Sequence, residues 1–277
     1  MPAPPPKPVT RIQATRGVRP GQLGEVWQAR ETLLMLAWRE VKVRYKQTVL
    51  GALWAILQPL LTMAVFAVFL GILAKVPSGG RPYPLIVLSA LVPWTFFVYA
   101  LTQAGGSLVD KEELVTKVYF PRLIIPAGVV AAGLVDFGLA FLTLLAVMAV
   151  YGQTPTWWVF LFPVFAVFAL AVALGAALWL SSLSVTYRDV RYTVTFLSQL
   201  LFYASPIAYL STLVPHRFRV LYGLNPVAGL VEAFRAMMLG TTPSWGLIGA
   251  SLLVTALMLL TGWMYFRRTE RTFADVI

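Results

Sequence analysis

An all-helical integral membrane protein is the fold class this sequence predicts, and three observations predict it. Of 277 residues, 59% are hydrophobic and 12% charged, where a soluble domain has roughly 45–50% apolar and about 25% charged residues. Uncharged stretches long enough to cross a bilayer recur along the chain. Lys and Arg are split unevenly between the two sides that such stretches would define. With 22 basic and 11 acidic residues the chain cannot coat a globular surface, so the apolar excess must face lipid or another helix. The mean hydropathy of +0.77 agrees. There is no cysteine and one histidine, His216, which excludes disulfides, thiol catalysis and Cys- or His-rich metal sites, and no metal is expected. A net charge of +11 without a soluble basic face predicts contact with anionic lipid and not with nucleic acid.

The elements follow in order. Residues 1–20, rich in proline, predict a disordered cytoplasmic tail, and no apolar core follows them as a secretory signal would require. Residues 21–47 predict an amphipathic interface helix. Trp27, Leu34, Trp38, Val41 and Tyr45 fall on one helical face, with Arg39, Lys42 and Lys46 on another, the pattern of a helix lying in the membrane interface. Two readings fit its basic residues Arg39, Lys42, Arg44 and Lys46: a plain anchor on acidic lipid, or receivers for the phosphate head of a lipid-linked substrate.

Residues 48–277 predict a transmembrane domain of six spans. Lys46 to Lys75 and Arg81 to Asp110 each enclose 28 uncharged residues. Between Arg122 and Arg188 the only charge is Asp136, and Gly152-Gln153-Thr154-Pro155 divides that run into spans three and four. A fifth is expected from Tyr192 to Pro215, and a sixth from Ala236 to Phe266 with Pro243 at the membrane boundary. On this count 17 Lys and Arg lie on one side and 5 on the other, which puts both termini in the cytoplasm.

Between spans two and three, residues 110–122 predict a short helix with Asp110 as N-cap, Glu112 and Glu113 in its first turn and Pro121 closing it. Lys117, Tyr119, Phe120 and Arg122 complete a mixed charged and aromatic surface that reads either as a solvated loop or as a docking face. Arg188 and Arg191 lie in a smaller turn of the same character. Asp136, at the middle of span three, must be paired, neutral or facing water; a bond to another helix is favoured over transport coupling.

Residues 216–240 predict a short re-entrant or interfacial helix between spans five and six, on the extracytoplasmic side. Asn225 is its N-cap, Pro226 its first residue and Gly240 its terminator, while Glu232 and Arg235 can pair three residues apart. Such a segment is either a gate lining a water-filled path or a helix packed on the bundle. The aromatics Trp54, Phe66, Phe69, Trp94, Phe202, Tyr203 and Tyr209, in spans one, two and five, offer faces on which sugar rings can slide, or simply pack the helices. No G-x-x-x-x-G-K-[ST] run occurs, so the chain has no evident ATP site of its own, and energy, if used, must come from a partner. No acidic cluster or Ser-His-Asp set supports catalysis.

Three runs, Arg39-Glu40-Val41-Lys42-Val43-Arg44-Tyr45-Lys46-Gln47-Thr48-Val49-Leu50-Gly51, Lys117-Val118-Tyr119-Phe120-Pro121-Arg122 and Tyr187-Arg188-Asp189-Val190-Arg191-Tyr192, together resemble the permease subunits of type-2 ABC exporters for lipid-linked polysaccharide such as O-antigen, capsule and teichoic acid. The resemblance runs from about Leu23 onward. It implies a transport subunit and not an enzyme: a homodimeric channel in the bacterial cytoplasmic membrane, joined to two ATP-binding cassette subunits that hold ATP and Mg, and moving polyprenyl-pyrophosphate-linked glycan. It also implies that Glu112 to Arg122 is the coupling helix, with Arg188 to Tyr192 as a second contact. A drug or small-lipid exporter, a membrane enzyme acting on polyprenyl phosphates and a proton-driven carrier using Asp136 are the alternatives.

Overall fold

The computed structural model describes residues 24, 28–46, 51, 53–117 and 120–276. The expected tail, Trp27 and Tyr119 lie outside the described residues. What is described is helical, with no strand among it. Helix α1 covers Arg30–Lys46. α2, Leu53–Phe66, continues through a π-helical stretch Ala67–Leu73. α3, Tyr83–Tyr99, continues through a second such stretch, Ala100–Ala104, into α4, Gly105–Asp110. The short α5, Glu112–Lys117, precedes α6, Ile124–Val150. A 3-10 turn at Trp157–Leu161 leads into α7, Phe162–Thr186. α8 is Val190–Ala204, α9 His216–Tyr222, α10 Pro226–Leu239, α11 Trp245–Thr269 and α12 Phe273–Val276.

Among the described residues, five stretches are long and apolar enough to cross a membrane: Leu53–Leu73, Tyr83–Asp110, Ile124–Val150, Trp157–Thr186 and Trp245–Thr269. They coincide with expected spans one, two, three, four and six. The expected fifth, Tyr192 to Pro215, is α-helical only as far as Ala204, with a single 3-10 turn at Ser211–Leu213 beyond it. Pro206 has no N–H to donate and disfavours helical backbone at the residue before it, and Ser205 is extended, with φ −104° and ψ 151°. The 15 residues of α8 rise about 22 Å, short of the roughly 30 Å hydrocarbon core.

The span Tyr83–Asp110 is the hub, buried on nearly every side between α2, α6, α7 and α10. Its Leu85, Ile86, Leu88, Leu91, Phe96 and Phe97 join Phe137, Val172, Phe234 and Met238 in one apolar cluster. A second cluster, at the end where Lys111, Lys117, Arg122, Arg188 and Arg267 gather (the basic end), packs Leu108, Val115, Ile125, Leu178, Phe266 and Phe273. By contrast α2 and α8 are peripheral: Leu61, Val65, Phe69 and Ile72 on one, Tyr192, Phe196, Leu200 and Tyr203 on the other, are exposed.

At one crossing a glycine is obligatory. A Cβ on Gly229 would stand 2.3 Å from the Cβ and hydroxyl of Ser251, and Ser251 Oγ accepts from the Gly229 amide at 3.1 Å while reaching the carbonyls of Gly223 and Asn225. Gly229→Ala is therefore expected to cost about 1–3 kcal/mol by overpacking. Thermal unfolding in detergent should show the loss, with Gly229→Ala, Ser251→Gly recovering part of it; an unshifted melting temperature in the single variant would contradict the packing of α10 on α11.

Candidate functional site

The residues expected of a gate converge on one unwound stretch, the chain from Ala204 to Ser211 between α8 and α9. Asn225 caps α10 as its sequence predicts, accepting from the Val227 amide at 3.1 Å, and turns its amide nitrogen to Ser205 Oγ at 2.9 Å. Pro226 occupies the first helical position, where a missing N–H costs nothing. Gly240 ends the helix with φ 64°, a left-handed conformation that favours glycine. Glu232 accepts from Ser211 Oγ at 2.7 Å.

Arg235 is the centre of this arrangement. Its guanidinium, fully buried, donates to the carbonyls of Pro206 at 2.8 Å, Ile86 at 3.1 Å, Tyr209 at 3.3 Å and Ile207 at 3.4 Å. The Tyr83 hydroxyl donates to the carbonyl between them, that of Ala208. Four consecutive carbonyls freed by the broken helix are thus satisfied by two side chains, which is what lets irregular backbone persist inside a bundle. The expected Glu232–Arg235 ion pair does not form: the two side chains face different partners, because carbonyls of the unwound chain reach the guanidinium first. Nearby, Tyr209 and Tyr222 share a hydroxyl–hydroxyl bond of 2.6 Å.

At the basic end, Asp110 closes α4 instead of capping the next helix. The backbone breaks at Lys111, and the short helix is six residues long. Its Val115 packs inward while Glu112, Glu113, Thr116 and Lys117 face out, with Lys117 paired to Glu113 at 2.9 Å. Two of the expected docking residues are turned away from that face. Phe120 packs on the second apolar cluster, and Arg122 is tied to the end of α11, its guanidinium donating to the Glu270 carbonyl and its amide to the Glu270 carboxylate. Arg188 is exposed, and Arg191 bridges to Asp110 at 2.6 Å.

Helix α1 runs alongside α6 in the same direction. Leu36 lies against Gly128 and, eight residues on in each helix, Arg44 bonds Asp136. A helix flat in the membrane plane would cross α6 at a single point; α1 follows it for about two turns. Ala37 and Val41 are buried on this seam, and Leu34, Met35 and Trp38 face outward. Arg44 and Tyr45 both donate to the Asp136 carboxylate, and the Arg44 guanidinium lies 4.0 Å over the Tyr99 ring. Arg44 is therefore turned inward, and of the four basic residues expected to meet phosphate Arg39, Lys42 and Lys46 stay exposed. Asp136 bonds another helix as expected, and that helix is α1. The chain has no cysteine, so a Leu36→Cys, Gly128→Cys pair gives a clean check. A Cβ at position 128 would stand 3.4 Å from that of residue 36, close to disulfide spacing of about 3.5–4.5 Å. Mild oxidation should link the pair nearly completely, read as a reductant-sensitive mobility shift; a pair that stays reduced would exclude this seam.

Residues 31–239 match the family model described as ABC-2 type transporter. The chain belongs to the ABC-2 type transporter family. It is 34% identical over 217 residues to the O-antigen export system permease protein RfbA of Myxococcus xanthus, covering 77% of this chain and 82% of that one. It is 25% identical over 248 residues to the protein of the same name from Klebsiella pneumoniae, covering 89% and 95%. The family match begins within α1 and ends at the last residue of α10, so it encloses both the α1 seam and the gate segment.

In this ABC-2 transporter chain the seven aromatics divide into three settings. Phe66, Trp94 and Phe202 pack on one another, with centroids 5.5 Å apart for Phe66–Phe202 and Trp94–Phe202. Trp54, Phe69 and Tyr203 are exposed on the peripheral helices, and Tyr209 belongs to the gate. Sequence reasoning missed the carbonyl cradle around Arg235. The available signal was Ser205-Pro206 breaking an apolar run, with one arginine downstream having no acidic partner that it must take.

Proposed function

We propose that this chain is the permease subunit of an exporter that moves polyprenyl-pyrophosphate-linked polysaccharide, of the O-antigen kind, across the bacterial cytoplasmic membrane. The observation that carries the reading is the similarity to a protein named as an O-antigen export permease over 82% of that protein's length. Two copies form the channel, and the exposed apolar faces of the peripheral α2 and α8 are the surfaces such a pairing would use. The unwound stretch after α8, together with α9 and α10, completes a broken sixth crossing. The basic end is cytoplasmic by its excess of Lys and Arg, which makes the end carrying α9 and α10 extracytoplasmic. Arg39, Lys42 and Lys46 on α1 receive phosphate.

ATP and Mg bind two separate cassette subunits that dock on α5, whose outward residues Glu112, Glu113 and Lys117 give the docking face, with Arg188 as a secondary contact. A Glu112→Lys, Glu113→Lys variant should lower co-isolation of the cassette subunit by at least about tenfold, a loss of about 1.4 kcal/mol. The permease's own melting temperature should not change, because both side chains are exposed. Deleting the gene and assaying polysaccharide at the cell surface tests the whole reading: loss, restored by the wild-type gene, supports it, and unaltered surface polysaccharide would falsify it.

A further inference from the structure

A cavity of about 350 Å³ opens beside the gate, between the stretch before α9, the inner face of α10 and the first turn of α11. Its lining includes Ser211, Thr212, Arg219, Glu232, Ser244 and Trp245. The volume is at the lower end of small-molecule sites, about 300–1,000 Å³. None of these residues is used by the carbonyl cradle of Arg235.

The chemistry of the lining selects among ligands. A metal ion is disfavoured because no group of three His, Cys, Asp or Glu side chains gathers among the described residues, and Glu232 stands in the cavity wall without a second carboxylate. A phosphate is disfavoured because the one cation of the lining is already engaged. Arg219 gives its Nε to the Val214 carbonyl at 3.0 Å and a terminal nitrogen to that of Thr212 at 2.9 Å. The buried Glu232 carboxylate, 4% exposed, would also repel an anion. What remains is the Glu232 carboxylate, which keeps acceptor capacity beyond the Ser211 hydroxyl that donates to it at 2.7 Å, the hydroxyls of Thr212, Thr242 and Ser244, and the indole of Trp245, 75% exposed at the rim. Carboxylate and hydroxyls meet a ring of hydroxyl groups with matched donors and acceptors, and an open indole meets its C–H face.

We propose that this cavity is a binding subsite for an uncharged sugar residue of the exported glycan, with Glu232 accepting hydroxyl hydrogens and Trp245 stacking on the ring. The proposal rests on the export reading and adds to it a place where the glycan touches the gate. Because Ser211 lies on the unwound stretch, Glu232 on α10 and Trp245 on α11, a sugar bound there bridges three elements of the gate at once.

The test uses the purified permease with its cassette subunit and, as probe, the host's own polysaccharide freed of lipid by mild acid, cut to short fragments and labelled at the reducing end. Wild-type protein should bind the fragments saturably. Trp245→Ala and Glu232→Gln should each weaken binding at least about tenfold, and Trp245→Phe should keep most of it. Trp157, exposed at the same end but outside the cavity, serves as comparison. A tryptophan that merely anchors in the membrane interface predicts equal, negligible effects at 157 and 245. Trp245→Ala keeps the proposal falsifiable should Glu232→Gln fold poorly, since the indole is outside the core. Unchanged binding in Trp245→Ala, equal losses at the two tryptophans, or no binding by the wild type would each overturn the subsite while leaving export intact in cells. A deletion strain that still displays its polysaccharide would instead overturn the export reading, and the subsite with it.

Discussion

Replacing Arg235 with methionine is expected to cost the folded protein about 3–5 kcal/mol, since hydrogen bonds to a charged donor are worth roughly 1.5–3 kcal/mol each and stranded acceptors add to the loss. Buried ion pairs can often be exchanged for apolar residues without loss, because both partners leave together. Here that escape is closed. The partners are backbone carbonyls of Ile86, Pro206, Ile207 and Tyr209, which no substitution removes, and methionine offers them nothing. Arg235→Lys should recover less than half of the loss, because one ammonium cannot fork toward acceptors on two sides as a guanidinium does. Thermal or denaturant unfolding in detergent measures this, with exposed Arg217→Ala as comparison. A methionine variant as stable as wild type would mean that the unwound stretch holds its shape without the cradle.

Removing the carboxylate of Asp136 should have the next largest effect. Asp136→Ala leaves the Arg44 guanidinium over the Tyr99 ring with no counter-charge. The two side chains are 28% and 27% exposed, so water recovers part of the loss, and about 2–3 kcal/mol is expected. Arg44→Met alone should cost a similar amount, and Arg44→Met, Asp136→Leu less than the sum. A coupling of at least about 1 kcal/mol in that cycle is the signature of direct contact; strict additivity would separate the two residues. The same variants distinguish a structural from a transporting carboxylate. If Asp136 carried protons, the double variant would assemble but deliver nothing, whereas a residue that fastens α1 to α6 leaves export partly active in it.

Most of the helical plan was legible because bilayer thickness imposes a length that charged residues mark out: Lys75, Arg81, Asp110 and Arg122 each fall at or just beyond the end of a spanning helix. The caps of α10 were legible too, since Asn225 and Gly240 act through local backbone geometry that neighbouring residues decide. The fifth segment was not. Counting uncharged residues is blind to one proline in the run, and Pro206 splits the run as a charge would not. Arg235 escaped for a related reason: its partners are carbonyls, which every residue carries and no sequence distinguishes. Arg44 could have been read. It stands seven residues after Ala37 and three after Val41, the two buried positions of α1, so helical spacing alone puts it on the seam and apart from Arg39, Lys42 and Lys46.

The hub position of the span Tyr83–Asp110 bears on how the chain is made. It is second of the five long spans in order of synthesis, yet α6, α7 and α10, against which it finally packs, emerge from the ribosome after it. This helix must therefore wait in lipid, with α2 as its one earlier neighbour among the four, for the remainder of its own chain. Its hydroxyls are prepared for that interval: Ser89 donates to the Ile86 carbonyl at 2.9 Å and Ser107 to that of Ala104 at 2.7 Å, so neither needs a later helix to satisfy it. The innermost helix of the finished bundle is thus also one that the translocon can release before three of its four partners exist.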